Sequence, residues 1–168
     1  YDNDIDRSSI VNGKPLYYLV NQTNLTVNSS IFPEIGWLQL VNSANATVYG
    51  VDLAGLVFHY VSNSTVENVK ASEVIGLVYS TGNIIRDNIP QYLALGSSDD
   101  NILEYNIIEG FLFGSGIIMD SSHRNLLSNN NLTNNAGGLN LRLSSNNALS
   151  GNTITNNSIG IHLDNSQN

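Results

Sequence analysis

The feature that most restricts how this chain can fold is a unit of about twenty residues that recurs along most of its length. In the two clearest copies, "NLLSNNNLTNN" from Asn125 and "NALSGNTITNN" from Asn147, aliphatic residues follow the first Asn at two and seven positions. A unit this short cannot bury an apolar face alone, so successive units must stack on one another. Seven copies follow the pattern with varying fidelity, and they begin at Thr23, Ala46, Ser64, Asn83, Asn101, Asn125 and Asn147.

Apolar and polar side chains alternate within the copies, as in the segment with Leu139, Leu141 and Leu143. A period of two is typical of short strands that bury one face. Coiling these strands so that each turn lies on the previous one predicts an all-β fold, a right-handed parallel β-helix of about seven turns with uncapped ends. The right-handed form is favoured because the spacings between copies are not multiples of a hexapeptide repeat. We assign residues 1–22 to an initial partial turn and 23–168 to one continuous β-helix domain, a piece of a longer solenoid.

Stacking places equivalent residues of neighbouring copies about 4.8 Å apart. Asn carries both a donor and an acceptor, so it can bond to equivalent Asn residues above and below. Each bond contributes about 0.5–1.5 kcal/mol. With the first residue of a copy numbered 0, predicted Asn ladders occupy position 0 (Asn83, Asn101, Asn125, Asn147) and position 5 (Asn28, Asn88, Asn106, Asn130, Asn152). The predicted interior column is position 2: Leu25, Val48, Val66, Ile85, Leu103, Leu127 and Leu149.

Composition excludes several classes of function. Only six residues are Lys or Arg and the net charge is −8, which argues against a nucleic-acid partner. The chain has no cysteine, so disulfides and thiolate metal sites are excluded. No apolar run is long enough to span a bilayer. N-x-S/T motifs are candidate glycosylation sites and favour an extracellular or cell-surface location; they begin at Asn21, Asn24, Asn28, Asn45, Asn63, Asn131 and Asn156.

The repeat segment "NNALSGNTITNNSIGIHLDNS" resembles the PbH1 repeat of the pectate-lyase-like superfamily, and the similarity covers most of the chain from Thr23 onward. More specifically, the chain is similar to the NosD/CASH branch of carbohydrate-binding and sugar-hydrolase-like β-helices, which includes a periplasmic copper-maturation protein. "VNGKPLYYLVNQTN" and "GWLQLVNSANATV" resemble segments of surface proteins of methanogenic archaea. The resemblance implies the fold, but it does not choose among the activities that the repeat supports.

Two sets of residues are candidates for the chemistry found in this superfamily. Polysaccharide cleavage needs paired carboxylates, and the best cluster is Glu67, Arg86 and Glu104 at position 3 of consecutive copies. The same pattern also describes a surface charge ladder, as do Asp120, Arg142 and Asp164. Copper would require converging His and Met side chains. The candidate copper donors fall at different positions of the repeat: His59, His123, His162 and Met119, of which Met119 is expected in the core.

Other residues suggest binding rather than catalysis. Asp2, Asp4 and Asp6 alternate as at the start of a Ca²⁺ loop, but the Gly and the closing Glu of that loop are missing. We therefore expect a solvated acidic face and no cofactor, with Ca²⁺ as the alternative. Aromatic rings can stack on sugar rings. The candidates for such stacking are Trp37, Tyr60 and Tyr79, of which the two tyrosines occupy equivalent positions on neighbouring turns.

The chain contains no capping helix before Thr23, and its last copy stops where another would begin. Open ends of a β-helix expose unpaired backbone groups that another strand can pair with. We therefore predict a structural cell-surface module of a surface layer, sheath or filament rather than an enzyme. Its expected partners are identical subunits or further repeats of the same chain, end to end, besides glycans. The alternative is a carbohydrate-binding or polysaccharide-cleaving β-helix.

Overall fold

The structure is a computed structural model that describes residues 5–6 and 8–167. All regular secondary structure in this part of the chain is β. No helix in it has the length and apolar character that crossing a membrane requires. The strands are β1 (Ile10–Val11), β2 (Lys14–Val20), β3 (Thr26–Val27), β4 (Trp37–Ala44), β5 (Thr47–Tyr49), β6 (Asp52–Leu53), β7 (Gly55–Ser62), β8 (Thr65–Glu67), β9 (Lys70–Val78), β10 (Ile84–Arg86), β11 (Ile89–Gly96), β12 (Ile102–Glu104), β13 (Ile107–Glu109), β14 (Ser115–Asp120), β15 (Leu126–Ser128), β16 (Asn131–Thr133), β17 (Gly137–Arg142), β18 (Ala148–Ser150), β19 (Thr153–Thr155) and β20 (Ile159–Asp164).

The strands stack into three sheets, of which two run along most of the described chain and the third is confined to its last turns. The largest has the order β1-β2-β4-β7-β9-β11-β14-β17-β20, with β6 also paired to β9. The second has the order β18-β15-β12-β10-β8-β5-β3, and the third the order β13-β16-β19. Every pairing except β1 with β2 is parallel. The predicted parallel β-helix of about seven turns is thus confirmed.

Register between turns follows the predicted columns, with one correction. Ile85 pairs with Leu103, and Leu103 with Leu127, as position 2 requires. The first copy was predicted two residues too early, because Val27, and not Leu25, pairs with Val48. The segment "TNLTV" alternates aliphatic residues, so either register places one of them inside. Asn28 consequently lies beside Tyr49 rather than in the position-5 ladder, and its Nδ2 donates to the Tyr49 hydroxyl at 2.9 Å.

The core is one continuous hydrophobic cluster, formed by the inward-facing side chains of the stacked strands. Leu103 and Leu127 are almost fully buried, and Met119 lies in the core as predicted. Leu149 was also expected to be buried, but it is 39% exposed. It lies on β18, the last strand of its sheet, so one side of its column is uncovered. Burial at position 2 therefore depends on having a turn on both sides.

Two classes of Asn with different physical roles account for the unusual composition. One class forms the predicted ladders: the Nδ2 of Asn83 donates to the Oδ1 of Asn101 at 3.1 Å, and Asn88 bonds to Asn106 in the same way at 3.0 Å. These residues are buried. The other class lies at exposed corners with positive φ, which Asn tolerates better than most residues; it includes Asn45, Asn63, Asn68, Asn129, Asn134 and Asn146.

A serine ladder, which was not predicted from the sequence, runs parallel to the Asn ladders. The Ser80 N–H donates to the Ser98 Oγ at 3.1 Å, and the Ser98 N–H donates to the Ser122 Oγ at 3.0 Å. Ser122 and Ser144 continue the series in the same way. The signal was present as S-x-x-N, a Ser three residues before each position-0 Asn from Asn83 onward.

The amino-terminal end carries a short hairpin that the repeat pattern did not indicate. β1 pairs antiparallel to β2, with Ile10 opposite Pro15 and Val11 opposite Lys14, and thereby covers the first residues of the outer edge of β2. β2 itself, within the predicted initial segment, pairs in parallel with β4. The hairpin lies close to Gly36, where any side chain would meet the carbonyl oxygens of Val11 and Lys14. This end of the large sheet is thus covered in part, whereas β20 pairs only with β17.

Candidate functional site

The most structured surface feature is a stack of aromatic rings on one corner of the helix. Tyr60 and Tyr79, at equivalent positions of neighbouring turns, have parallel rings with centroids 5.0 Å apart. The imidazole of His59 stacks on Tyr60 at 4.9 Å. Both tyrosines have positive φ, which turns their side chains out at the corner, and both rings are exposed. The predicted pairing of these two candidate sugar-stacking residues is confirmed, whereas sugar binding stays a prediction.

The aromatic column ends at Tyr79, and a cleft begins there. The next residue in the column is Ser97, because Val78 pairs with Gly96 and each strand then turns the same corner. A small side chain after a large one leaves a cleft of about 310 Å³ over the tyrosines. Asp99, Asp100 and Arg124 form its polar wall. Sequence analysis missed these three residues, since their proximity to Tyr79 depends on the register.

Charges in the cleft are arranged around one guanidinium group. The Nε and Nη2 of Arg124 donate to the two carboxylate oxygens of Asp100, both at 2.8 Å, and Nη2 also lies 3.2 Å from Asp99. This hydrogen bonding from Arg124 lowers the pKa of Asp100 below its usual value. The other Asp99 oxygen accepts the N–H of His123 at 2.7 Å, which orients the carboxylate. The wall therefore consists of two carboxylates, Asp99 and Asp100, held by the guanidinium group of Arg124.

The candidate catalytic residues form the alternative pattern noted in the sequence, a charge ladder. Glu67, Arg86 and Glu104 are register partners on β8, β10 and β12. The Nη2 of Arg86 lies 2.6 Å from the Glu67 carboxylate, and this hydrogen bond raises the pKa of Arg86. Arg142 bonds to Asp120 in a second ladder at 2.8 Å. The predicted registers are confirmed, and catalysis at Glu67 and Glu104 stays a prediction.

The candidate copper donors do not converge. Met119 is fully buried, and the three histidines lie in different columns: His59 is paired with Val78, and His162 with Asn140. The Nδ1 of His123 already accepts the Ser145 N–H at 3.0 Å. Within residues 5–6 and 8–167, no three His, Cys, Asp or Glu side chains are grouped so that they could hold a metal ion. These residues do not fit a copper centre, and we assign no chemistry through copper.

The remaining candidates are dispersed. Asp2 and Asp4 lie outside the described residues, and Asp6 accepts hydrogen bonds from Ser8, which lower its pKa. Trp37 is the first residue of β4 and pairs with Gly55, the first residue of β7, against which its ring lies. Tyr60 lies near the other end of β7, so the two aromatic side chains are not neighbours along the strand.

Glycosylation at the N-x-S/T motifs stays a prediction. The acceptor asparagines are exposed at Asn21, Asn24, Asn45, Asn63 and Asn156, and partly buried at Asn28 and Asn131.

Comparison with known proteins connects this geometry to a family. A family model described as "Periplasmic copper-binding protein (NosD)" matches residues 2–168. Searches of curated proteins and of solved structures give no match. The periplasmic description agrees, at a coarse level, with the predicted location outside the cytoplasm. Because the family model matches all but the first residue, on the fold that the repeat predicted, the chain belongs to the NosD family.

Proposed function

We propose that this protein is a structural module of an assembly outside the cytoplasm, such as a surface layer, sheath or filament, that lengthens through the ends of its β-helices. The observation that carries the proposal is the last turn of the helix. Ile161 and Leu163 are 49% and 51% exposed there, whereas Leu139 and Leu141, which pair with them one turn earlier, are buried. The side of β20 that faces away from β17 thus continues the apolar column of the core, whatever follows it in the polypeptide.

Another β-helix turn matches this surface in both its backbone hydrogen bonds and its apolar column. A terminal strand leaves a row of unpaired N–H and C=O groups, and a further strand pairs with them. The same strand adds an apolar column above Ile161, and each inward side chain buried contributes about 1.5–3 kcal/mol. The covering turn comes either from further repeats of the same polypeptide or from an identical subunit. The net charge of −8 opposes side-by-side packing more than contact through the ends.

Sedimentation velocity of the 168-residue protein over a range of concentrations tests the proposal. We expect the wild type to associate as concentration rises, and Ile161→Asp to remain monomeric because it places a charge in the covered column. Leu143→Asp is the matched control, since Leu143 is 44% exposed at a corner of the turn before β20, where its N–H donates to the Asp164 carbonyl, and it lies outside the apolar column of Ile161. The proposal fails if the wild type is monomeric at every concentration, or if Leu143→Asp abolishes association as completely as Ile161→Asp.

A second candidate function is carbohydrate binding in the cleft beside Tyr79. The specific observation is that the aromatic column stops there, which leaves space for a ring to stack on Tyr79 above Ser97. Sugar rings offer an apolar face for such stacking. Their hydroxyl groups can donate to carboxylates such as Asp99 and accept from Arg124. The cleft is open on one side, so it suits binding to one edge of an oligosaccharide.

Calorimetric titration with cello-oligosaccharides and with polygalacturonate tests this candidate. Tyr79→Ala should abolish any binding that occurs in the cleft. Tyr105→Ala is the control, because Tyr105 is an exposed tyrosine with positive φ at a different corner. Absence of binding by the wild type, or equal losses in the two variants, would remove the cleft as a carbohydrate site.

A further inference from the structure

The loop between β13 and β14 carries the two most exposed apolar side chains of the described residues. Phe113 is 94% exposed and Leu112 is 71% exposed, in the sequence "GFLFGSG". We call residues 111–114 the apolar tip. Large aromatic side chains in a folded domain are normally mostly covered, so a Phe that projects almost completely into solvent requires an explanation.

The apolar tip is an insertion into an otherwise regular turn. The Phe111 N–H donates to the Oδ1 of Asn135, and Ser115 pairs with Gly137. Three residues, 112–114, lie between Phe111 and Ser115, whereas only Ala136 lies between the equivalent residues Asn135 and Gly137 of the next turn. The extra residues are therefore not needed to close the turn. The side chains of Leu112 and Phe113 do not contribute to the core either.

Both ends of the tip are held rigidly, which keeps its apolar residues projecting. The Phe111 carbonyl accepts the Ala136 N–H at 2.9 Å, and the Gly114 carbonyl accepts the Gly137 N–H at 3.1 Å. The Phe111 ring stacks on Tyr92 with centroids 4.9 Å apart. A side chain at Gly114 would collide with that ring, so the glycine permits the stacked arrangement. Leu112 and Phe113 thus sit on a preformed turn.

The strand that leads into the tip, β13, carries one charged residue, Glu109, and the nearest Lys is Lys70, the register partner of Ile89. Ile107 on β13, which leads into the tip, is exposed, and so is Ile89 at the equivalent position one turn earlier. On the following strand, β16, Ile107 is paired with Asn131 and Glu109 with Thr133. The Glu109 carboxylate accepts a hydrogen bond from the Asn134 Nδ2 at 2.9 Å. Neither β13 nor the tip carries a Lys or Arg.

We propose that the apolar tip inserts into the interface of an electrically neutral lipid surface. The tip is convex, and two side chains offer far less than the roughly 800 Å² per partner that a stable protein interface buries. A bilayer interface has no such minimum area, because it accommodates single apolar side chains. The lack of a basic residue on the tip and a net charge of −8 exclude electrostatic attraction to anionic lipids. A location outside the cytoplasm places the tip within reach of a membrane surface.

Flotation of the 168-residue protein with phosphatidylcholine vesicles tests this proposal. We expect measurable partitioning of the wild type and at least about a tenfold lower partition coefficient for Leu112→Ser/Phe113→Ser, since two apolar side chains leave the interface. The matched control, Ile31→Ser/Leu143→Ser, removes two exposed apolar side chains elsewhere and should stay within about twofold of the wild type. Thermal melts check that all three proteins are folded.

Each remaining outcome contradicts the proposal. If the wild type does not float with phosphatidylcholine vesicles, or if both double variants lose partitioning equally, the tip is not a lipid-insertion element. Binding that appears only when phosphatidylglycerol is added would indicate a charged surface elsewhere. Self-association that Leu112→Ser/Phe113→Ser abolishes, without vesicle binding, would assign the tip to a second copy of the chain. Such a result would leave the end-to-end proposal standing, because that proposal depends on Ile161.

Discussion

The two ends of this β-helix are built from similar residues but are covered to different extents. At the amino-terminal end, β1 pairs with β2, and Phe32 packs edge-on against Tyr17 with ring centroids 5.1 Å apart. At the carboxy-terminal end, Ile161 and Leu163 on β20 are about half exposed. The comparison shows that burial in a solenoid is a property of adjacent turns and not of the repeat sequence itself. A copy of the pattern supplies the apolar residue, and its neighbours supply the core.

The strongest test of this comparison uses one position of the repeat on two turns. Leu127→Ala should lower the free energy of unfolding by about 2–5 kcal/mol, because it leaves a cavity between two turns. Leu149→Ala should cost less than about 1 kcal/mol in the monomer, since solvent already reaches Leu149. Chemical denaturation of both variants measures the two values. Equal costs would mean that the last turn is covered in solution, as it would be in an end-to-end assembly.

The Asn ladder gives a second contrast between an internal turn and the last one. Asn130→Leu leaves the Asn106 N–H and the Leu103 carbonyl without their partners in a buried corner. Each buried group left unpaired costs about 1–3 kcal/mol. Asn152→Leu removes the equivalent bonds to Asn130 and Leu127, but there water can replace the lost partner. We expect the Asn130 variant to melt at a clearly lower temperature, and indistinguishable melting curves would contradict the ladder.

Much of the fold could be predicted because its determinants are local and repeated. The alternation that places Leu103 inside and the spacing that stacks Asn106 on Asn130 can both be recognised in the sequence alone. The first copy was misplaced because Leu25 and Val27 satisfy the same pattern, and only the pairing of Val27 with Val48 distinguishes them. The hairpin of β1 was not predicted, since it belongs to no repeat.

The candidate cleft could be predicted only in part. Tyr60 and Tyr79 are recognisable as a pair because they occupy equivalent positions of neighbouring copies. The cleft itself arises where a small residue, Ser97, follows the two rings, and its polar wall comes from a turn whose register must be known first. The charged residues Asp100 and Arg124 are 24 residues apart in sequence, and no local motif connects them. A column of similar residues on neighbouring turns is thus easier to predict from the sequence than a cleft that forms where such a column ends.

The β1–β2 hairpin at the amino-terminal end gives a third prediction, which concerns Gly36. Gly36→Ala should push the β1–β2 hairpin away, because its Cβ would meet the backbone oxygens of Val11 and Lys14. The expected loss of stability is about 1–3 kcal/mol, typical of overpacking. Gly96→Ala, on β11, is the control, since a Cβ there has open space. Faster hydrogen exchange at the Leu16 amide, which donates to the Ser9 carbonyl, would locate the effect; unchanged exchange would contradict it.

The smallest expected effect concerns the charge ladder next to the open end. Arg142 donates from Nε and Nη2 to Asp120 on the internal turn, at 3.1 and 2.8 Å, and these bonds lower the pKa of Asp120. A carboxyl whose pKa is lower in the folded state stabilises that state above its unfolded pKa, about 3.9, and loses the contribution as pH falls through the folded pKa. The wild type should therefore lose stability at acid pH more steeply than Asp120→Asn. Arg142→Gln should flatten the acid limb similarly, and the double variant should add nothing further, because both changes remove one interaction. Full additivity of the two changes in melts between neutral and acid pH would show that Asp120 and Arg142 act independently, and the ladder would then contribute nothing specific to the internal turn.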